Sequence, residues 1–162
     1  MNIRPVEDRD FPAILALWNP VIRETTITFS SEEKSLQSLD AMVVERRRAG
    51  REFLLAEIGG DVQGFATYAQ FRAGSGYAHA MEHTIILAPA ARGRGIGRAL
   101  MQRIEDHARE GGAHRLFAGV SGENVDGVEF HVRQGFSIVA RLPEVGRKFD
   151  RWLDLVLMMK AL

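Results

Sequence analysis

The residue types best suited to chemistry are concentrated in Ala91-Arg92-Gly93-Arg94-Gly95-Ile96-Gly97-Arg98. Three alternate glycines let a backbone approach a ligand closely. The apolar periodicity of Ile96, Leu100 and Ile104 makes the stretch a helix start, whose first N–H groups lack partners and carry a partial positive charge. With Arg92, Arg94 and Arg98 added, it predicts an anion site suited to phosphates. Spacing excludes the two common nucleotide motifs. A G-x-G-x-x-G counted from Gly93 and Gly95 needs a glycine where Arg98 stands, and a P-loop needs a lysine that is missing here. The competing reading is a glycine-rich turn with solvated arginines.

Other candidate constellations carry less. His79 and His83 form H-x-x-x-H, but on the strand expected here residues i and i+4 lie about 13 Å apart, against metal–nitrogen bonds of about 2.1 Å. No metal site is expected, and His107 and His114 are read as surface residues. Arg46, Arg47 and Arg48 followed by Gly50 form a helix-stop signal, because basic residues complement the C-terminal end of the helix dipole. Cysteine is absent, which excludes disulfides, thiolate nucleophiles and cysteine-ligated metals.

These residues must be held by a mixed set of elements. Ile3 suits a short strand. Phe11, Ile14, Leu15 and Trp18 give an amphipathic stripe, with Asp10 as N-cap candidate, Pro12 in the first turn and Pro20 as terminator. A second helix runs through Leu36, Leu39, Met42 and Val43. Strands are expected over 53–58, 62–71 and 77–87, the first two joined by Gly59-Gly60-Asp61 as a hairpin turn. The helix after the glycine loop ends at Gly111 and Gly112. A strand over 116–120, a short helix over 125–134 and strands over 136–142 and 152–159 follow. The expected class is α+β, a single domain over residues 1–162 with about seven strands and about four helices.

Bulk composition excludes further classes. The 162 residues carry 21 Lys plus Arg against 21 Asp plus Glu, so net charge is zero, and a nucleic-acid partner is not expected. Hydrophobic residues at 46% and charged residues at 26% describe an ordinary globular domain. No run approaches the roughly 18 apolar residues of a membrane span, and the opening MNIRPVEDRDF lacks a signal-like apolar core, so a cytoplasmic protein is expected.

Arg92, Gly95 and Gly97 match Arg/Gln-x-x-Gly-x-Gly/Ala, and the loop resembles the pyrophosphate loop of the GCN5-related N-acetyltransferases. The resemblance covers nearly the whole chain. Asn19-Pro20-Val21-Ile22, Thr26-Ile27-Thr28-Phe29, Phe71-Arg72, Tyr77, Glu82-His83-Thr84-Ile85-Ile86-Leu87, Asn124, Phe130-His131, Gly135-Phe136 and the ending Gly146 to Asp154 are similar to the phosphinothricin acetyltransferase branch. It implies a strongly twisted, splayed mixed sheet and acetyl-CoA as co-substrate. Ile85, Ile86 and Leu87 are implied to meet the pantetheine arm. Gly93, Arg94, Gly95, Ile96, Gly97 and Arg98, with Arg92, are implied to hold the pyrophosphate, and Asn124 to touch the cofactor.

The same resemblance implies the chemistry. An ammonium has no lone pair, so a base or proton relay must meet the acceptor, and the family's proposed base falls on Glu82. Where many relatives carry a tyrosine that protonates the departing thiolate, this chain has His131, a departure shared with the branch. His131 is expected to be a general acid or a contact to substrate or thioester. Tyr77 is a second donor candidate. Arg72 suits an acceptor carboxylate, Ser75, Gly76 and Tyr77 resemble the acceptor-pocket loop, and Phe29 with Trp152 are expected to wall it. The expected acceptor is a small amino-acid-like amine of the phosphinothricin, methionine sulfoximine or methionine sulfone type, acetylated by direct transfer. A protein N-terminus is an alternative acceptor, and a non-catalytic CoA-binding module an alternative function. The branch also implies a homodimer, with the apolar C-terminal strand contributing.

Overall fold

The computed structural model describes all 162 residues. Its centre is one seven-stranded mixed sheet in the order β1-β2-β3-β4-β5-β7-β6. The strands are β1 Asn2–Pro5, β2 Phe53–Ile58, β3 Asp61–Gln70, β4 Ala80–Leu87, β5 Arg115–Ser121, β6 Ser137–Lys148 and β7 Arg151–Ala161. Four helices flank it: α1 Phe11–Glu24, α2 Leu36–Arg48, α3 Ile96–Glu110 and α4 Val125–Arg133. β4 and β5 run parallel and every other neighbouring pair is antiparallel. No helix is long and apolar enough to cross a membrane.

Each face of the sheet buries a separate core. On one, α1 and α2 bring Phe11, Ile14, Trp18, Ile22, Leu39 and Val43 against Phe53, Leu55, Phe65 and Ile86, with the Trp18 and Phe65 rings 4.8 Å apart. On the other, α3 packs Ile96, Leu100, Met101, Ile104 and Ala108 against Leu54, Ala66, Met81, Leu116 and Met158. The alternation of β3 and β4 residues between these cores is the period-2 pattern of a strand buried on both faces.

Four sequence expectations change. Pro20 lies inside α1, which continues to Glu24 and ends with Thr25 donating from N and Oγ1 to the Val21 carbonyl. Proline forfeits one helical hydrogen bond, and burial of Ile22 on the same stripe keeps the chain helical beyond it. Asp10 makes no side-chain cap for α1. A single 3-10 turn, Asp8–Asp10, precedes the helix, and the Asp10 carboxylate accepts instead from Glu7 N and from Arg4. Strand β4 starts at Ala80, because Ser75–Tyr77 form another 3-10 turn whose loop is held by Gln70 Nε2 donating to the Arg72 and Gly74 carbonyls. Finally, 146–148 and 151 belong to strands. β6 and β7 meet in a two-residue turn at Phe149 and Asp150, with φ of 51° and 57°. Both values suit a type I′ turn, usually built from Asn and Gly, so Phe149 gave no turn signal.

An ion pair between a buried carboxylate and a partly exposed lysine links α3 to β7. Glu105 of α3 is 3% exposed, and Lys160 of β7 donates to its Oε2 at 2.6 Å and to the Gln134 carbonyl at 2.7 Å. Lys160→Met leaves that carboxylate buried without its cation and is expected to cost on the order of 3 kcal/mol. Urea unfolding measures this, and Glu105→Leu in the Lys160→Met background should recover most of the loss.

Candidate active site

The site begins where the parallel pair comes apart. β4 and β5 are registered only over Ala80–Arg115, Met81–Leu116 and Glu82–Phe117, although β4 continues to Leu87 and β5 to Ser121. From His83 onward β4 keeps its β3 partner while its other edge parts from β5. Two cavities fill the gap. The larger, about 480 Å³, is lined by Ile85 to Leu87, by Arg92, Gly93, Gly95, Gly97 and Arg98, by one face of α4 including Gly127, Phe130 and His131, and by Gln134 just beyond it. The smaller, about 270 Å³, is lined by Trp18, Ile27 to Phe29, Glu82 to Ile86, Ala118 to Ser121 and Leu155. Ile27, Ile85, Ile86, Asn124 and His131 line both, so the cavities meet at these residues.

The glycine loop follows a 3-10 turn at Pro89–Ala91 and enters α3 through Gly95, whose φ of 79° is left-handed. No side chain caps α3, and its first backbone bond runs from Ala99 N to Gly95 O at 3.1 Å. The N–H groups of Ile96, Gly97 and Arg98 are therefore without helical partners beside Arg92 and Arg98, an arrangement fit for an anion. The other loop residues divide by task. Gly93, with φ of 72°, shapes the turn. Gly97 is a packing residue as well, since a Cβ there would lie 3.0 Å from Leu87 and 3.1 Å from Phe130. Ile96 is buried in the core and anchors the helix start, while the Arg94 side chain is exposed and lines neither cavity.

Asn124 is the N-cap of α4: its Oδ1 accepts from Gly127 N at 3.0 Å, leaving the amide Nδ2 as its donor. Glycine is needed at 127, where a Cβ would come within 2.7 Å of Asn124 Cγ. Glu82 is half-buried at the point of separation, and burial raises its carboxyl above the ordinary range. Gly119 makes room for it, because a Cβ there would stand 3.2 Å from Glu82 Oε1.

Two turns along α4, His131 is 6% exposed and its Nδ1 lies 2.7 Å from the Gly127 carbonyl. A carbonyl only accepts, so Nδ1 carries the proton. In the neutral ring Nε2 is then an acceptor, and its partner is His83 Nε2 at 3.1 Å, which must donate. His83 Nδ1 is consequently an unprotonated, buried nitrogen without a partner. Both rings pack edge-on against Phe136. Burial, with His131 nearby, pushes the His83 imidazole down to about 3, and burial also lowers His131. The pair is neutral around pH 7.

The remaining sequence candidates disperse. Phe29 lines the smaller cavity. Arg72, Ser75, Gly76 and Tyr77 are exposed and line neither cavity; the Arg72 guanidinium lies 5.4 Å from the Tyr77 ring centre. Trp152 is also outside, 56% exposed under the Arg147 guanidinium. His79 takes a different partner from His83, the Gly112 carbonyl at 2.7 Å. His107, read as a surface residue, is half-buried with its Nδ1 2.7 Å from the Tyr68 hydroxyl. Sequence reasoning weighed His83 only as a metal ligand and missed its pairing with His131. Ile27 and Val21 also line the site, and no local signal in the sequence marks them for it. Strand alternation places His83 on the face opposite Glu82, but nothing in the spacing shows that α4 covers that face.

Comparisons with known proteins identify the family. The acetyltransferase (GNAT) family model matches residues 15–136. An L-amino acid N-acyltransferase of Escherichia coli is 33% identical over 162 residues, covering 100% of this chain and 94% of that protein. An L-methionine sulfoximine/L-methionine sulfone acetyltransferase of Pseudomonas aeruginosa is 34% identical, covering 97% and 92%. Among solved structures, a ribosomal-protein-alanine N-acetyltransferase from Brucella melitensis has a TM-score of 0.96 at 37% identity, with both chains fully covered. An acetyltransferase from Salmonella typhimurium with its cofactor acetyl-CoA has a TM-score of 0.95 at 33% identity, covering 100% and 94%.

The buried pair makes stability depend on pH. Folded His83 titrates below its unfolded value of about 6.5, so its contribution is complete above that pH and is lost as pH falls through the window toward 3. The unfolded chain takes up protons there that the folded ring refuses, at up to about 1.4 kcal/mol per pH unit for each histidine. Urea midpoints measured from about pH 7 to about pH 4.5 should fall less steeply for His83→Phe than for the unaltered protein.

Proposed function

Because the chain belongs to the acetyltransferase (GNAT) family, we propose that it moves the acetyl group of acetyl-CoA directly to the amine of a small amino-acid-like acceptor of the phosphinothricin, methionine sulfoximine or methionine sulfone type. The observation that carries the reading is the meeting of two cavities, one with an uncapped helix start flanked by Arg92 and Arg98, the other with Glu82. Acetyl-CoA, when bound, supplies the acyl group already activated as a thioester. The N–H groups of Ile96 to Arg98, with Arg92 and Arg98, hold its pyrophosphate. The free edge of β4 at Ile85 to Leu87 offers backbone groups to an amide-bearing arm, as sheet edges do to peptides. The five residues shared by the cavities then surround the reacting atoms, with the acceptor in the smaller one.

Glu82 receives the proton that the acceptor ammonium must lose. A carboxylate of reference pKa about 4.3 is a weak partner for an amine of about 9 to 10. Burial narrows that gap, and an intervening water completes the relay. His131 walls the junction and is held as a neutral ring by Gly127 and His83. In this tautomer its Nε2 has no proton to give, and His83, with one proton and a buried, unpartnered Nδ1, cannot hand one over, so His131 shapes the junction and the departing thiolate takes its proton from water. The fold presents exposed apolar side chains along β6 and its turn, Ile138, Val139, Val145 and Phe149, and we assign the homodimer contact to this edge; Val145→Glu should shift the sedimentation profile toward monomer.

One observation favours a second reading. The Brucella melitensis relative is named for acetylation of a ribosomal-protein alanine, so an N-terminal peptide is the alternative acceptor; the volume of the acceptor cavity, about 270 Å³, favours the free amino acid. Thiol release from acetyl-CoA across amino acids, their sulfone and sulfoximine analogues and N-terminal peptides decides between them. Turnover of the sulfone or sulfoximine is expected, and turnover of peptides alone overturns the small-acceptor reading. Glu82→Gln should lower kcat by about 100-fold with the KM for acetyl-CoA unchanged; unaltered kcat from about pH 6 to 9 would remove Glu82 from the relay.

A further inference from the structure

One wall of the smaller cavity is an irregular segment, and the structure shows what holds it there. Between α1 and α2, Ile27, Thr28 and Phe29 face β4 and β5 across the cavity. The segment contributes only short-range bonds of its own, Ile27 N to Thr25 Oγ1 at 3.2 Å and Ser30 N to Thr28 Oγ1 at 3.4 Å. Its position is set from outside. Asn19 of α1 brackets Lys34, donating to its carbonyl and accepting from its N–H at 2.9 and 2.8 Å. Thr26 Oγ1 donates to Glu123, which is paired with Arg151 at the start of β7. Lys148 Nζ, at the end of β6, donates to the Thr28 carbonyl at 2.8 Å. The Phe29 ring lies over Gly146, where a Cβ would overlap it, 2.6 Å from Cε2.

Lys148 is the informative member. It is 3% exposed, yet no carboxylate is within ion-pair distance, and its hydrogen-bond partner is one backbone carbonyl. The Phe149 ring centre is 5.3 Å away. A lysine is rarely so buried unless paired, because removing an ammonium from water is costly. An apolar side chain would fill the same space at lower cost, so packing does not account for it. What the ammonium adds is a directed bond to the segment that walls the cavity.

We propose that the β6–β7 hairpin, through Lys148 and Gly146, is the specificity-determining clamp of the acceptor cavity, setting its size by fixing Thr28 and the Phe29 ring. The proposal rests on the reading that the smaller cavity takes the acceptor. Gly146 lets the ring lie back against the hairpin, and a side chain there drives the ring toward Glu82 and the acceptor. Lys148 keeps the segment from moving outward. Neither residue touches the acceptor; both act through Phe29 and Thr28.

Two variants and one compensation test it. Gly146→Ala should lower kcat/KM for methionine sulfone about tenfold more than for alanine, the scale of discrimination that small changes in pocket volume produce. The KM for acetyl-CoA should be unchanged. Phe29→Leu in the Gly146→Ala background should restore the ratio, which a general loss of stability would not do. Lys148→Met should shift the ratio toward the bulkier acceptor and speed backbone hydrogen exchange over residues 26–30, read by mass spectrometry without any substrate. An unchanged acceptor ratio in both variants, or unchanged exchange in Lys148→Met, overturns the clamp. If the unaltered protein acetylates no free amino acid while Lys148→Met still speeds exchange, the acceptor reading fails and the tether stands.

Discussion

The parting of β4 from β5 after the Glu82–Phe117 pair is the constraint on which the rest of the molecule depends. A parallel pair that stays registered has no interior gap and no free edge. One that separates leaves unpaired backbone groups, which are costly unless water or a ligand meets them. Here the separated edges line the two cavities, so the cost of the defect and the binding capacity of the site have one origin. The separation is held open from both sides. α3 and α4 pack beneath it, and β7 stays registered with β5 along its whole length from Arg115 to Ser121.

α4 serves this geometry with few residues. Asn124 caps it, Gly127 admits the cap's amide group, and the Gly127 carbonyl one turn back fixes the tautomer of His131. The helix that closes the gap thereby also delivers the residue at the junction of the cavities. His83 completes the set from β4, satisfying the one His131 nitrogen the helix leaves over. The arrangement stays neutral because burial disfavours charge on either ring, which leaves Glu82, its side chain on the other face of β4, as the carboxylate lining the smaller cavity.

Much of this was legible in the sequence. Helix stripes such as Phe11, Ile14 and Trp18, and strand runs such as 53–58, report burial directly, because each is a local period matched to one apolar face. The glycine loop was legible because Gly93 and Gly95 must take backbone conformations other residues avoid. The misreadings share a cause. Pro20 and Phe149 carry strong local preferences that tertiary packing overrode, in one case through buried Ile22 and in the other through pairing of Lys148 with Arg151 across the turn. Arg72 and Tyr77 were assigned to the acceptor pocket by resemblance, and they lie outside both cavities of the chain.

The sequence by itself determined the α+β class, the glycine-rich helix start, and acyl transfer through its resemblance to the N-acetyltransferases. These rest on contiguous residues, where spacing along the chain and spacing in space are nearly the same thing. The tertiary structure alone decided that His83 meets His131 across 48 positions and that Lys148 reaches Thr28 across 120. Both contacts depend on where the sheet opens and how its last hairpin folds back. No local pattern encodes those distances, since each partner is chosen by the packing of elements far apart in the chain.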